Sequence, residues 1–456
     1  MTDINKISSI YFAGIGGIGM SALARYFNER GVSVSGYDKT ETLLTKKLIE
    51  EGINIHFRDD IELLDKNADI VVYTPAIPAS HRELNFYREN NYTLLKRSDV
   101  LGLITKDTFN ICIGGTHGKT TTSAMVAHIL TATGFGCNTF LGGIASNYDT
   151  NFWGSGHKVS VAEADEYDRS FLKLNPDVAV ITAMDADHLD IYGTEKNMQD
   201  AFIEFSGKIK KGGTLIIKDT VRRQDEFATH NKMTYSGFNE QADIHTKALK
   251  IINGSYLFNV VIKDKVIENV LLNMGGMHNI ENITAAIAVA DMLKIDEDKI
   301  KTAVASFAGV KRRFEYMIKD ESVVMIDDYA HHPEELRALI TGAKELFPGR
   351  KCTVVFQPHL FSRTKDLASG FAEVLSMADE TILLPIYPAR ELPMEGVTSD
   401  LILDRMTIAN KSIMQREALL EWLKSNKPEL LITAGAGDID TLIQPIKKIL
   451  ENRNDN

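Results

Sequence analysis

Short apolar runs alternate along the chain with stretches in which apolar residues recur every three or four positions. The first kind reads as buried strands and the second as amphipathic helices. Ser9–Ala13 predicts a strand, and a helix follows from Met20 to about Arg30. Val32–Gly36 and Asp69–Pro75 predict two further strands. Ile111–Gly114 enters a glycine-rich turn and then a helical pattern, Ser123–Leu130. Val159–Ala162 and Asp177–Thr182 are the next strand-like runs. Ala242 to Leu272 alternates strictly in places and carries Asn253-Gly254, the signature of an antiparallel hairpin. An amphipathic helix starts near His278. Four more apolar runs follow, at Ser322–Ile326, Cys352–Phe356, Thr381–Leu384 and Leu430–Thr433, with helical patterns between them.

Strands alternating with helices predict parallel sheets and an α/β fold. A chain of 456 residues is too long for one typical domain. The breaks in pattern place three: residues 1–107, 108–316 and 317–456. The polar end, residues 451–456, is expected to fray. Hydrophobic and charged contents of 44% and 25% are those of a soluble globular protein. The net charge of −11 argues against a nucleic-acid surface, which needs a basic face. Cys112, Cys137 and Cys352 are odd in number and form no CxxC pair, which fits reduced thiols. No signal-type segment and no spanning run is present, so no membrane role and a cytoplasmic location are expected.

Chemistry enters at the turns. Gly114-Gly115-Thr116-His117-Gly118-Lys119-Thr120-Thr121 lies between a strand and a helix. Backbone N–H groups at such a loop point at an anion, and the helix dipole favours negative charge there. Lys119 can meet the β- and γ-phosphates, and the Thr120 hydroxyl can ligate Mg²⁺. Ile113 stands where the standard phosphate loop has its first glycine, so this loop is one residue shorter. An ordinary glycine-rich turn is the alternative. Earlier, Gly14-Ile15-Gly16-Gly17-Ile18-Gly19 follows a strand, and Asp38 lies about twenty residues on. That spacing matches a dinucleotide fingerprint, with a nicotinamide nucleotide or another diphosphate as its ligand. The loop holding Thr74, Ala76 and Ile77 faces the same crevice, or is a proline-stiffened turn.

Acidic clusters follow two strands of the middle segment, at Glu163–Asp168 and at Asp185–Asp190. Glu163 is the better candidate for Mg²⁺, which prefers oxygen ligands; His188 alone reads as structural. Asn279 and Asn282 sit at a helix start, either as caps or as amide contacts to a base. The third segment offers Asp327–Pro333, Gln357–Thr364, Tyr387–Arg390 and Gly435–Asp438 after its strands. Three α/β domains thus aim polar loops at ligands. The residues alone point to an ATP-dependent enzyme that joins or phosphorylates a nucleotide-linked substrate.

Gly14–Met20 (GIGGIGM), Gly115–Thr122 (GTHGKTTT), Glu163–Asp168 (EADEYD), Asp187-His188, His278–Asn282 (HNIEN), Arg312–Phe314, Asp327–Pro333 (DDYAHHP), Phe356–Thr364 (FQPHLFSRT) and Tyr387–Ser399 (YPARELPMEGVTS) together resemble the Mur ligases. The resemblance covers all three segments in order. It implies a Rossmann-like first domain for a UDP-sugar, a central domain resembling phosphate-loop ATPases, and a Rossmann-like C-terminal domain for an amino acid. The implied reaction uses ATP and Mg²⁺ to join L-alanine to the lactyl carboxylate of UDP-N-acetylmuramate through an acyl phosphate. By the same resemblance, Gly14–Gly19 holds the UDP diphosphate, with Asp38, Thr74, Ala76 and Ile77 near it. Lys119 meets the transferring phosphoryl group. Thr120 and Glu163 take one Mg²⁺ and His188 a second. Asn279 and Asn282 lie near adenine, and Arg313 and Asp328 complete the ATP site. Arg363 takes the alanine carboxylate, with His359 near it. His332 and His359 are the candidates for a base. Leu360 replaces an arginine common in the family, and Ile203 stands near where sister ligases use a carbamylated lysine. A ligase that recycles a whole tripeptide, and a nicotinamide dehydrogenase, are the rival readings. A monomer or weak homodimer is expected.

Overall fold

The computed structural model describes residues 4, 6–106, 108–156, 158–227, 231–389 and 391–452. Arg390 and the tail beyond residue 452 lie outside the described residues. The chain divides into two compact units. One comprises Met1–Ala248, Phe258–Val270 and Glu281–Ala305; the other comprises Leu249–Leu257, Leu271–Ile280 and Ser306–Asn456.

In the first unit, Ser9–Ala13 is the centre of a five-stranded parallel sheet. All five of its residues are buried, as befits a strand covered on both faces. The chain moves outward through Ser33–Tyr37 and Asn54–His56, then crosses back to Ile70–Tyr73 and Leu94–Lys96. The reversal of strand order opens a crevice at the carboxyl ends, where the Gly14–Gly19 loop lies. The first helix is Ile18–Asn28, so Ile18 and Gly19 already belong to its first turn.

Phe109–Gly114 is the inner strand of the second sheet, between Val178–Ile181 and Val159–Ala164, all parallel. Asn138–Ala145 extends the sheet in parallel, and Thr150–Trp153 closes that edge antiparallel. On the other side come Thr214–Lys218 and Lys232–Ser236, then Ile244–Ile252, Ser255–Ile262 and Lys265–Leu272. The expected hairpin is therefore the first part of a three-strand run. Asn253 (φ +48°) and Lys263 (φ +52°) are both left-handed, and each sits in a two-residue turn. The rings of Phe140 and Phe152 stand 5.5 and 5.8 Å from that of Tyr26 on the first helix. The two sheets of the first unit thus share one core.

The second unit carries a sheet ordered Glu315–Lys319, Val324–Asp328, Leu430–Ala434, Cys352–Phe356, Glu380–Leu383, Lys411–Ile413. Glu315–Lys319 is antiparallel to its neighbour, and the other pairings are parallel. The two edge strands are absent from the sequence expectations. Both are only partly buried, and neither carries more than three apolar residues. Glu315–Lys319 also runs across the expected boundary at 316/317.

Candidate active site

Gly115 (φ +139°) and Gly118 (φ +81°) bend the phosphate loop into conformations that favour glycine. A Cβ on Gly115 would strike the Thr182 hydroxyl, and one on Gly118 would stand 2.8 Å from Asn282 Oδ1. Thr182 follows the neighbouring strand and donates to Gly114 O (3.2 Å) and to His117 O. Thr116 N donates to Ala183 O, and Asp185 N donates to the Thr116 hydroxyl, each at 3.2 Å. The loop is thereby pinned to the strand end that leads to His188. The helix begins at Lys119, and Thr120 and Thr121 are buried in its first turn.

Lys119 Nζ donates to Gly115 O (2.6 Å) and to Glu166 Oε1 (2.8 Å). Glu166 is fully buried, and its Oε2 has no hydrogen-bond partner. Burial pushes its carboxyl up from the usual carboxylate range, while the Lys119 charge pulls the other way. His188, itself left-handed at φ +50°, places Nε2 3.8 Å from Glu166 Oε1 and 3.7 Å from Asp187 Oδ2. Glu166, Asp187 and His188 form a group whose ligand atoms lie close enough to hold one cation. Glu163 is not a member of it. Glu163 pairs in register with Ile113, one residue before Gly114, and its Oε2 accepts from Gly142 N (2.8 Å). Glu166 was not among the expected site residues. It lies beyond the strand in an irregular turn, where no periodicity tells it from the other acids of the cluster.

At the first loop, Gly14 N and Ile15 N donate to Tyr37 O, and Gly17 N to Gly14 O. Asp38 Oδ2 accepts from Gly16 N (2.8 Å), so this acid closes the loop itself. A Cβ on Gly14 would stand 3.1 Å from Thr74 and 3.3 Å from Ile77. The loop containing Ala76 is therefore gathered against Gly14.

The helix His278–Met292 contains both Asn279 and Asn282, so neither is its N-cap. Asn279, in the second unit, is fully buried and donates from Nδ2 to Gly275 O (2.6 Å). Asn282, in the first unit, is the residue facing Gly118.

In the second unit, Asp328 accepts from Phe314 N and Ala330 N, both at 2.7 Å. Burial pushes its carboxyl up to about 6, against the charge of Arg313. Its neighbour Asp327 is buried and accepts from Arg312 Nε (3.0 Å) and Thr433 Oγ1 (2.8 Å). His332 caps the helix Pro333–Leu346, with Glu335 completing a capping box. His359 stacks on Tyr387, with ring centroids 5.8 Å apart. Burial lowers its pKa, and the charges of Arg363 and His331 lower it further. Its Nδ1 and the Arg363 Nη1 are both buried without a hydrogen-bond partner. Leu360, at φ +70°, turns the chain between them.

Family models match the chain over three stretches: the Mur ligase family catalytic domain over residues 9–108, the Mur ligase middle domain over 113–290, and the Mur ligase glutamate ligase domain over 312–437. The chain belongs to the Mur ligase family. It is 49% identical to the UDP-N-acetylmuramate–L-alanine ligase of Flavobacterium johnsoniae, over 98% of this chain and 99% of that one. It is 48% identical to the same-named protein of Cytophaga hutchinsonii, over 99% and 98%. A crystal structure of UDP-N-acetylmuramate-alanine ligase from Thermotoga maritima matches with a TM-score of 0.80 at 28% identity, covering 98% of this chain and 99% of that one. A murein peptide ligase of Psychrobacter arcticus, 22% identical with a TM-score of 0.65 over 97% and 99%, shares the fold.

Proposed function

We propose that this ligase joins L-alanine to the lactyl carboxylate of UDP-N-acetylmuramate at the expense of ATP, in peptidoglycan precursor synthesis. The observation that carries the reading is Lys119, held in a glycine loop by Gly115 O and by a fully buried glutamate. The full-length similarity to proteins named for this reaction supports it.

In this reading the lactyl carboxylate attacks the γ-phosphorus of ATP, the bond to the β,γ-bridging oxygen breaks, and ADP leaves. The alanine amine then attacks the acyl phosphate carbon, loses a proton, and expels phosphate. The backbone from Gly114 to Thr121 cradles the phosphates, and Lys119 leaves Glu166 to meet charge on the transferring group. Asn279 and Asn282 are assigned to adenine, and Arg313 and Asp328 to ATP as well. Gly14–Gly19, Asp38, Thr74, Ala76 and Ile77 are assigned to the UDP-sugar. Arg363 takes the alanine carboxylate through its unpaired Nη1, and neutral His359 offers Nδ1 to the departing proton. His332 is the other candidate base. The donor set suits Mg²⁺: Thr120 and Glu163 offer oxygen, and His188 is grouped with Asp187 and with Glu166, whose Oε2 is unpartnered. Bound there, Mg²⁺ would neutralise phosphate charge.

We further assign three domains (1–107, 108–316 and 317–456), a cytoplasmic location, no nucleic-acid partner, and a monomer or weak homodimer. Among the described residues no helix is long and apolar enough to cross a membrane. The test is phosphate release from ATP with UDP-N-acetylmuramate and L-alanine, each omitted in turn. Release should need all three. Faster release with the L-alanyl-γ-D-glutamyl-diaminopimelate tripeptide than with alanine would move the protein to the recycling reaction.

A further inference from the structure

Arg97 belongs to no motif singled out in the sequence. It opens the helix Arg97–Lys106 directly after Leu94–Lys96, the strand beside Ile70–Tyr73. The carboxyl ends of neighbouring strands therefore bring the glycine loop, the Thr74–Ile77 loop and this guanidinium to one edge. The guanidinium lies against Gly19. A Cβ there would stand 3.0 Å from Arg97 Cδ and Nη1, and 3.3 Å from Cζ. On its other side, Arg97 Nη2 meets Asp165 Oδ2 at 3.3 Å, a single long contact. It is the guanidinium's one hydrogen bond among the described residues, so most of its five donors are uncommitted.

Two sizeable cavities share Arg97 and Asp165. One, of about 190 Å³, reaches from Ile18 and Gly19 to Glu163. The other, of about 310 Å³, reaches from Thr74 and Ala76 to Tyr167. Arg97 thus stands where the space beside the glycine loop opens toward the acidic loop. Gly14–Gly19 carries no cation of its own, whereas the phosphate loop carries Lys119. A diphosphate seated on the first loop needs a counter-charge, and the planar guanidinium fork matches phosphate oxygens.

We propose that Arg97 is a diphosphate-binding residue of the nucleotide-sugar site. Its fork closes over the diphosphate at the Gly19 end of the loop, and Asp165 is the resting partner it leaves. The inference rests on the function proposed above.

Calorimetry of UDP and of UDP-N-acetylmuramate with the full-length protein tests it. Arg97→Ala should weaken both by roughly tenfold to a hundredfold, the loss expected for a hydrogen-bonded charge pair. Arg97→Lys should fall between it and wild type. Asp165→Asn frees the guanidinium and should bind UDP at least as tightly as wild type. A merely structural ion pair would weaken UDP equally from either side, and that result overturns the proposal. So does a loss confined to UDP-N-acetylmuramate with UDP unaffected, which would place Arg97 on the lactyl carboxylate. If Arg97→Ala does not melt cooperatively, Arg97→Lys set against Asp165→Asn carries the same contrast of signs. A wild-type protein that binds neither nucleotide overturns the function itself, and is told apart because it appears before any substitution.

Discussion

Lys119 and Arg363 are both cations assigned to anionic ligands, and the protein prepares them in opposite ways. Lys119 already has an anion: Glu166, fully buried, 2.8 Å away. Arg363 keeps Nη1 buried without a partner, beside the equally unpartnered Nδ1 of His359. An internal carboxylate holds a flexible lysine in place until a stronger anion arrives, at the cost of a buried half-satisfied charge. A guanidinium is rigid in its fork and needs no such holder, so it can stand unsatisfied and gain its full hydrogen bonding on binding. The second unit uses the first strategy too, but for structure: Arg312 is bound to Asp327 and to Gly435 O.

The contrast can be broken at several points. The largest effect is expected from Lys119→Ala, which should cut phosphate release by ~10³-fold or more. It should also lower stability, by up to about 3 kcal/mol at pH 8, because Glu166 loses its partner. The loss should shrink as pH falls and the raised Glu166 carboxyl takes up a proton. Thermal melts of Lys119→Ala combined with Glu166→Gln should recover the stability and none of the activity. Unchanged melts in the single variant would mean that the buried pair is not what holds Lys119.

Next comes Arg363→Lys, which keeps the charge and loses the fork. It should raise KM for alanine roughly a hundredfold, while ATP affinity stays near wild type. Arg363→Ala should leave stability within about 1 kcal/mol, since Nη1 gives up no bond. A melt as depressed as that of Lys119→Ala would erase the distinction between the two cations.

The structural pair has a pH signature. Burial pushes the Asp327 carboxyl up to about 6 from an ordinary 3.8, with Arg312 opposing. Between those values the folded chain keeps a proton that the unfolded chain has lost. Stability is therefore greatest below pH 4 for this group and declines as pH rises through about 6, by up to about 3 kcal/mol. Denaturant titrations of wild type and Asp327→Asn from pH 4 to 7 should differ in slope in that sense. The smallest effect is Gly118→Ala, about 1–2 kcal/mol for a left-handed residue, with weaker ATP binding as the loop shifts.

These contrasts also separate what was legible in the chain from what was not. Apolar runs located the inner strands closely, and Cys352–Phe356 matches end to end. A buried parallel strand must be apolar throughout, so its pattern survives without its neighbours. Edge strands such as Lys411–Ile413 need only half of that signal and left none. The glycine loops were legible because a tight turn at an anion site restricts residue type locally, through positive φ and close approach. The sequence by itself thus determined the α/β class, both glycine loops, and the strand–loop–helix that carries Lys119. Only the tertiary structure decided which acid holds that lysine, that Asp38 closes its own loop, that Asn282 faces Gly118, and that Arg97 lies on Gly19. Each of these joins residues from different elements of the fold. Register and strand order bring such residues together, and neither is written in any one stretch of the chain.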